Sequence, residues 1–166
     1  MDKSHLRART RAVLSRGAIL HCAAVKLGDV GFIFPALSGG GKSTLAAKMY
    51  AEGLEVLAED FLTICIGTDG TTRLLPIDPD RRCKLTALVL LEKSIDPYII
   101  RAHPKYACFR IIRDKLIMAY GALPPEERGT LREGVRTILD VVTCFIMGLN
   151  TRTKVSPLLY EIAKSE

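Results

Sequence analysis

Several features of membrane, secreted and metal-binding proteins are missing from this sequence of 166 residues. It has no run of about 18 or more apolar residues, so we expect no membrane-spanning segment. The basic N-terminus lacks the apolar core of a signal peptide, which predicts a cytoplasmic location. The five cysteines form no C-x-x-C pair, so we expect reduced, packed thiols rather than a metal–thiolate site. These cysteines are Cys22, Cys65, Cys83, Cys108 and Cys144.

The chain is basic, but it lacks a set of aromatic residues of the kind that stack on the bases of nucleic acids. The net charge is +6, from 24 basic and 18 acidic residues, and Arg7, Arg9, Arg11 and Arg16 lie close together near the N-terminus. One interpretation is a patch for nucleic acid or another polyanion. The favoured interpretation is the solvated face of an N-terminal helix, and we do not expect a nucleic-acid partner.

The composition is that of an ordinary globular chain, with 48% apolar and 25% charged residues. No composition shift marks a boundary, so we predict a single α/β domain over residues 1–166, with a mixed sheet flanked by helices. The predicted strands cover residues 18–27, 31–35, 54–57, 61–66, 71–75, 86–91 and 141–149, the last of which could instead continue a helix. The predicted helices cover residues 4–15, 42–51, 105–120, 125–139 and 156–163, and residues 97–104 are predicted to be a connection.

The most informative stretch is FIFPALSGGGKST, from Phe32 to Thr44. It is nearly the phosphate-binding Walker A pattern G-x-x-x-x-G-K-[ST], with Ala36 where the first glycine is expected. Glycines let backbone N–H groups approach phosphate oxygens, and the following helix adds its N-terminal dipole. We therefore predict a bound nucleotide. The residues expected to bind it are Ser38, Gly39, Gly40, Gly41, Lys42, Ser43 and Thr44.

Three further side chains are candidates for chemistry near this loop. Glu59 and Asp60 follow a short predicted strand, where one carboxylate could lie near Mg²⁺ and the other could act as a general base. The alternative is a solvated acidic turn. His21 lies on the strand before the loop, where a lone histidine is either a core residue or part of the site. Ser43 and Asp60 are the predicted ligands of Mg²⁺.

Together these segments resemble the catalytic domain of HPr kinase/phosphorylase, whose P-loop fold is shared with phosphoenolpyruvate carboxykinase. The resemblance rests on Ile19-Leu-His21-Cys-Ala-Ala-Val, then S-G-x-G-K-S, Gly53 and the Glu59-Asp60 pair, and it covers about residues 17–66. Two features depart from the family. Glu59 stands where the family has aspartate, and the family's downstream E-I-R-G-x-G signature is missing.

The resemblance implies an ATP- and Mg²⁺-dependent kinase that acts on a serine or small-molecule hydroxyl. Glu59 would activate the acceptor hydroxyl, Asp60 would associate with the metal, and His21 would lie near the transferred phosphoryl group. Relatives assemble through this domain, so the resemblance also implies a homo-oligomer. One alternative is a module that binds or hydrolyses nucleotide without a phosphoacceptor. Another is a protein whose basic N-terminus binds a polyanion.

Overall fold

The computed structural model describes residues 10–13, 16–36, 41–76, 78–118 and 120–165, and within them eight strands form one mixed sheet. The strands are β1 (Gly17–Leu27), β2 (Val30–Pro35), β3 (Glu55–Ala58), β4 (Phe61–Ile66), β5 (Thr72–Leu75), β6 (Cys83–Lys93), β7 (Tyr98–Ala102) and β8 (Thr143–Leu149). The helices are α1 (Lys42–Ala51), α2 (Pro104–Arg113), α3 (Pro125–Val141) and α4 (Ser156–Lys164), with short 3₁₀ turns at Pro79–Arg81 and Tyr120–Ala122. The predicted α/β class with a mixed sheet flanked by helices is confirmed.

The first two strands, close to the predicted strands 18–27 and 31–35, form a hairpin. They pair antiparallel, with Val25 opposite Phe32. The turn between them contains Gly28, whose φ of +58° lies in the left-handed region that glycine adopts without strain. Because β2 ends at Pro35, the hairpin leads directly into the glycine-rich stretch.

Strands β3 and β4 follow one another along β1, and both are antiparallel to it. Val56 of β3 lies opposite Val25, and Leu62 of β4 lies opposite Leu20. Glu59 and Asp60 are the two residues between these strands. The two predicted catalytic carboxylates therefore occupy the interruption between two strands that pair with β1.

Three parallel strands form the middle of the sheet. Phe32 of β2 pairs with Val25 on one side and with Ala87 of β6 on the other. Ala87 in turn pairs with Thr143 of β8. Strand β2 thus lies between β1 and β6, and β6 lies between β2 and β8. Strand β6 is buried on both faces, as its apolar run predicts, but it is longer than the predicted 86–91.

The sheet separates two apolar cores. One contains Leu88 and Leu90 of β6 and packs under α2 and α3, whereas the other contains Ala87 and Val89 and packs under α1 and α4. This alternation follows from the two-residue period of a strand. Within the described residues, no helix has both the length and the apolar character needed to cross a membrane.

The stretch 97–104, predicted to be a connection, contains a strand. Strand β7 pairs antiparallel with β8 at the edge of the sheet, where Ile99 lies opposite Met147. The prediction was wrong because Pro97 and Pro104 flank only five strand residues. Half-exposed edge strands carry a weak hydrophobic pattern, and their partner is set by the rest of the sheet.

The helix predicted over 105–120 ends at Arg113 instead. Lys115 follows with a φ of +52°, which stops the helix. The next residues are extended beside β1, where Leu116 accepts a hydrogen bond from the His21 backbone and Met118 donates one to Ile19. The apolar residues of this segment are therefore buried because the segment pairs with β1 as a strand would. Of the predicted N-terminal helix 4–15, residues 10–13 are helical and residues 4–9, 14 and 15 lie outside the described residues.

The helix predicted to begin after Pro124 is confirmed as α3, and the strand predicted over 141–149 is confirmed as β8. The alternative, in which the helix continues through this stretch, is wrong because α3 ends at Val141. The residues that follow pair with β6 on one side and β7 on the other, so their backbone groups are satisfied by the sheet.

Candidate functional site

Helix α1 begins at the end of the glycine-rich stretch. Gly41 precedes its first turn with a φ of +87°, a left-handed conformation that glycine adopts readily. A Cβ at Gly41 would meet no atom within 4 Å, so the backbone angle rather than crowding favours glycine there. Of the predicted nucleotide-binding residues, Ser38, Gly39 and Gly40 lie outside the described residues.

Lys42 is the first residue of α1, and only 6% of it is exposed. A cation at this end of a helix faces the positive end of the helix dipole, and the first turn of α1 carries no acidic residue. An anion bound at the N-terminus of α1 would offset this unfavourable placement of positive charge. Ser43 and Thr44 follow in the same turn and are exposed.

A histidine–carboxylate pair lies beside the start of the loop. The Nε2 atom of His21 is 2.9 Å from Oδ1 of Asp60, and the two side chains are 15% and 70% exposed. The backbone reinforces this arrangement, because Cys22 donates its N–H to the Asp60 carbonyl over 3.0 Å. Ala36, the first residue after β2, donates its N–H to the His21 carbonyl over 3.3 Å. Histidine, carboxylate and loop entrance therefore meet at one segment of β1.

Cys22 lies inside this segment and is influenced by the charges around it. Burial raises the pKa of the Cys22 thiol to about 12, a hydrogen bond from the Leu62 backbone and the Lys42 ammonium oppose the rise, and the Asp60 carboxylate adds to it. The thiol donates to the Leu20 carbonyl over 3.4 Å. At this pKa the group is neutral at physiological pH and acts as a packed side chain.

A cavity of about 360 Å³ opens at Glu59 and Asp60, and we call it the carboxylate cavity. Its floor is apolar, with contributions from Leu57, Phe61 and Leu75. Both predicted catalytic carboxylates line it and both residues are exposed, so a solvent-borne molecule can reach them. The structure thus brings His21 to Asp60, and Glu59 lines the same cavity as Asp60.

Two residues of the carboxylate cavity, Asp78 and Arg81, are not among the predicted site residues. Arg81 donates its Nε–H to Glu55 over 2.8 Å and also donates to the Val56 carbonyl. Asp78 accepts a hydrogen bond from the Asp80 backbone at the start of a 3₁₀ turn. In the sequence these residues belong to a charged loop that contains Pro76 and Pro79, and that pattern alone does not place the loop against β3.

The order of the strands sets the relative positions of these groups. The glycine-rich stretch follows β2, which lies between β1 and β6. The carboxylate cavity lies on the β1 side of this stretch. The carboxyl ends of β2, β6 and β8 point to the same edge of the sheet, and the glycine-rich stretch leaves β2 at that edge.

The available donor atoms suit a magnesium ion better than a softer metal. The hydroxyl group of Ser43 and the carboxylate of Asp60 are hard oxygen donors, and both residues are exposed. Mg²⁺ commonly takes one or two protein carboxylates and completes its shell with water and phosphate oxygens. Within the described residues, no cluster of three or more histidine, cysteine or acidic side chains forms an all-protein metal site.

No protein-family model matches the chain, and no curated protein matches its sequence. Sixteen chains of solved structures do match it in fold comparison. One is described as the Hpr(Ser) kinase/phosphatase from Coxiella burnetii, with 10% sequence identity and a TM-score of 0.49 over 89% of this chain and 88% of that chain. At this identity and TM-score we base no conclusion on the likeness.

Proposed function

We propose that the protein is a Mg-ATP-dependent phosphotransferase that acts on the hydroxyl group of a serine or of a small molecule. The observation that carries the proposal is the meeting of His21, Asp60 and the loop entrance at one segment of β1. A phosphate-binding loop needs only one metal carboxylate to bind a nucleotide. A second carboxylate, Glu59, in an open cavity beside it favours transfer to an acceptor.

The donor end of the site is the N-terminus of α1. Backbone N–H groups at the start of the helix and the ammonium group of Lys42 would hold the outer phosphates of ATP. Residues 38–40 complete the loop by sequence pattern. Mg²⁺, held by Ser43 and Asp60, would neutralise phosphate charge as the bond to the leaving group breaks.

The acceptor end of the site is the carboxylate cavity. An acceptor hydroxyl would give its proton to the carboxylate of Glu59 as its oxygen attacks the γ-phosphorus. The bond between that phosphorus and the bridging oxygen to the β-phosphate breaks, and ADP leaves with the bonding electrons. The proton held by Glu59 then returns to solvent, because this residue is exposed.

Asp60 and His21 would act together in this scheme. The contact between Asp60 Oδ1 and His21 Nε2 would restrain the carboxylate, and Asp60 would be oriented to bind Mg²⁺. Most of the imidazole is buried, so its position is set by β1 and not by solvent. In this scheme His21 would orient Asp60 as a metal ligand, and Glu59 would accept the proton of the hydroxyl group.

The second candidate is a nucleotide-binding or NTP-hydrolysing regulatory module without a phosphoacceptor. The exposure of the carboxylate cavity favours it, since water could occupy the place of the acceptor hydroxyl. The same residues would then activate water, and the product would be inorganic phosphate.

Labelled ATP distinguishes the two candidates. The protein is incubated with γ-labelled ATP, Mg²⁺ and a panel of serine peptides and small-molecule alcohols. Label on an acceptor, absent when Glu59→Gln replaces the wild type, supports the phosphotransferase. Release of labelled inorganic phosphate without any labelled acceptor supports the regulatory module. If ATP neither binds nor turns over, both candidates are wrong.

A further inference from the structure

A second cavity of about 560 Å³ lies between the start of α1 and the ends of β6 and β8, and we call it the α1–β8 groove. Gly41 and Thr44 line it at the helix, and Thr151 lines it just beyond β8. Its volume is within the range of small-molecule sites, which is about 300–1,000 Å³. The groove shares Gly41 and the first turn of α1 with the proposed phosphate site.

The groove and the carboxylate cavity lie on different sides of the loop. Strand β2, which leads into the loop, has β1 on one side and β6 on the other. The carboxylate cavity borders the β1 side, and the groove borders the β6 and β8 side. A nucleotide with its phosphates on the loop and its γ-phosphate towards Glu59 must direct its other end to β6 and β8.

The apolar surface of the groove comes from Leu45, Leu91 and Leu149. Of the three charged residues in its wall, Lys93 is exposed, and the side chains of the other two are already held by the protein. Lys48 donates to the Thr151 carbonyl over 3.0 Å, and Glu92 accepts a hydrogen bond of 2.9 Å from a tyrosine hydroxyl. These contacts position the wall and reduce the number of polar side chains available to a ligand.

Two further polar side chains of the wall also bind protein groups. The Ser94 hydroxyl donates to the Asp96 carbonyl over 2.6 Å. The Asn150 amide donates to the Ile95 carbonyl over 2.6 Å, and its oxygen accepts from the Arg152 backbone. The Asn150 side chain thereby holds two loops together. The wall therefore offers shape and apolar area more than hydrogen bonds to a base edge.

We propose that the α1–β8 groove binds the base and ribose of the nucleoside triphosphate, and that it recognises the base by apolar contact. This inference rests on the proposed function, because it takes the phosphates to lie on the loop. It follows that ATP and GTP bind with affinities within about tenfold of each other, since an apolar pocket discriminates weakly between ligands of similar shape.

The test compares three ligands on two variants. Thr151→Trp places a large side chain in the groove from an exposed loop position, and its backbone carbonyl remains available to Lys48. Thr68→Trp is the matched control, because Thr68 is exposed in the turn between β4 and β5. Affinities for Mg-ATP, Mg-GTP and Mg-tripolyphosphate are measured by calorimetry on both variants and on the wild type.

We expect Thr151→Trp to weaken ATP and GTP binding by about tenfold or more and to leave tripolyphosphate binding unchanged, because the lost contacts are apolar ones to the nucleoside. Thr68→Trp should change none of the three. The inference is overturned if Thr151→Trp changes all three affinities by the same factor, or none of them. A wild-type preference for one base well above tenfold overturns recognition by apolar contact. If the wild type binds neither ATP nor tripolyphosphate, the proposed function itself fails.

Discussion

The two cavities beside the glycine-rich stretch differ in the charged groups that line them. The carboxylate cavity on the β1 side carries Glu59 and Asp60 on an open surface. The α1–β8 groove is lined by three leucines, and of its charged residues Lys48 and Glu92 are engaged by the protein whereas Lys93 is exposed. Proton transfer needs a titratable group within reach of the acceptor, whereas base binding needs apolar area. In the proposed function, this difference would direct the reacting phosphate of the nucleotide towards β1.

Replacing Glu59 by glutamine should have the largest effect on turnover. Glutamine keeps the size of the side chain but cannot take a proton, so we expect turnover to fall by roughly 10²–10⁴-fold. The affinity for Mg-ATP should stay within about twofold, because the groove side is untouched. Single-turnover transfer and calorimetry measure the two quantities. Glu161→Gln, on an exposed part of α4, is the control, and surviving turnover in Glu59→Gln would show that Glu59 is not the base.

Replacing Asp60 by asparagine should have a smaller effect. The amide oxygen can still accept a hydrogen bond from His21, but the charge that faces the metal is lost. We expect turnover to fall by roughly 10–100-fold and the Mg²⁺ concentration for half-maximal activity to rise. A Mg²⁺ titration of activity measures this, with Asp29→Asn in the β1–β2 turn as the control. An unchanged Mg²⁺ requirement would remove Asp60 from the metal site.

The smallest expected effect is on stability, and it concerns Glu52, which links α1 to α4 near the α1–β8 groove. Glu52, just after α1, accepts hydrogen bonds from the backbone of Val155 and Ser156 at the start of α4. Desolvation by burial would raise the pKa of Glu52, but these hydrogen bonds, together with Lys48, outweigh it and lower the pKa below its ordinary value of 4.5. The carboxylate therefore stabilises the fold above pH 4.5, and this contribution is lost as the pH falls through the lowered pKa.

Glu52→Gln should accordingly reduce the free energy of unfolding by about 1 kcal/mol at pH 7, a modest value because the site is partly exposed. The difference from the wild type should shrink as the pH falls below 4.5. Urea denaturation at several pH values measures it, and Glu161→Gln again serves as the control. A difference that grows at low pH would contradict the assigned role.

Local patterns predicted the parts of the fold that depend on nearby residues. The strand bounds Phe61–Ile66 and the helix bounds Lys42–Ala51 follow from apolar runs, glycine signals and periodicity, and the structure confirms both. Strand β7 was missed because its pairing partner lies more than forty residues away at Thr143–Leu149. The end of α2 was misplaced because Leu116 gains a partner on β1 that no local rule reveals.

In the candidate site, too, local patterns were predicted from the sequence and long-range contacts were not. The glycine-rich stretch and the Glu59-Asp60 pair are visible as short patterns, so the sequence identifies them. The contact between His21 and Asp60 depends on the register of β1 against β4, in which His21 lies opposite Phe61. Arg81 reaches Glu55 across 26 positions of the chain. Neither contact follows from residue types alone, because both depend on how the sheet is assembled.

The most direct test of the central claim is the affinity of the wild type and of Lys42→Ala for Mg-ATP, measured by calorimetry. Lys154→Ala, an exposed lysine near α4, is the control, and thermal unfolding confirms that both variants fold. If the N-terminus of α1 holds the phosphates, the wild type and Lys154→Ala bind Mg-ATP and Lys42→Ala binds it at least about 100-fold more weakly. Equal affinity in all three proteins would contradict a phosphate site at this helix.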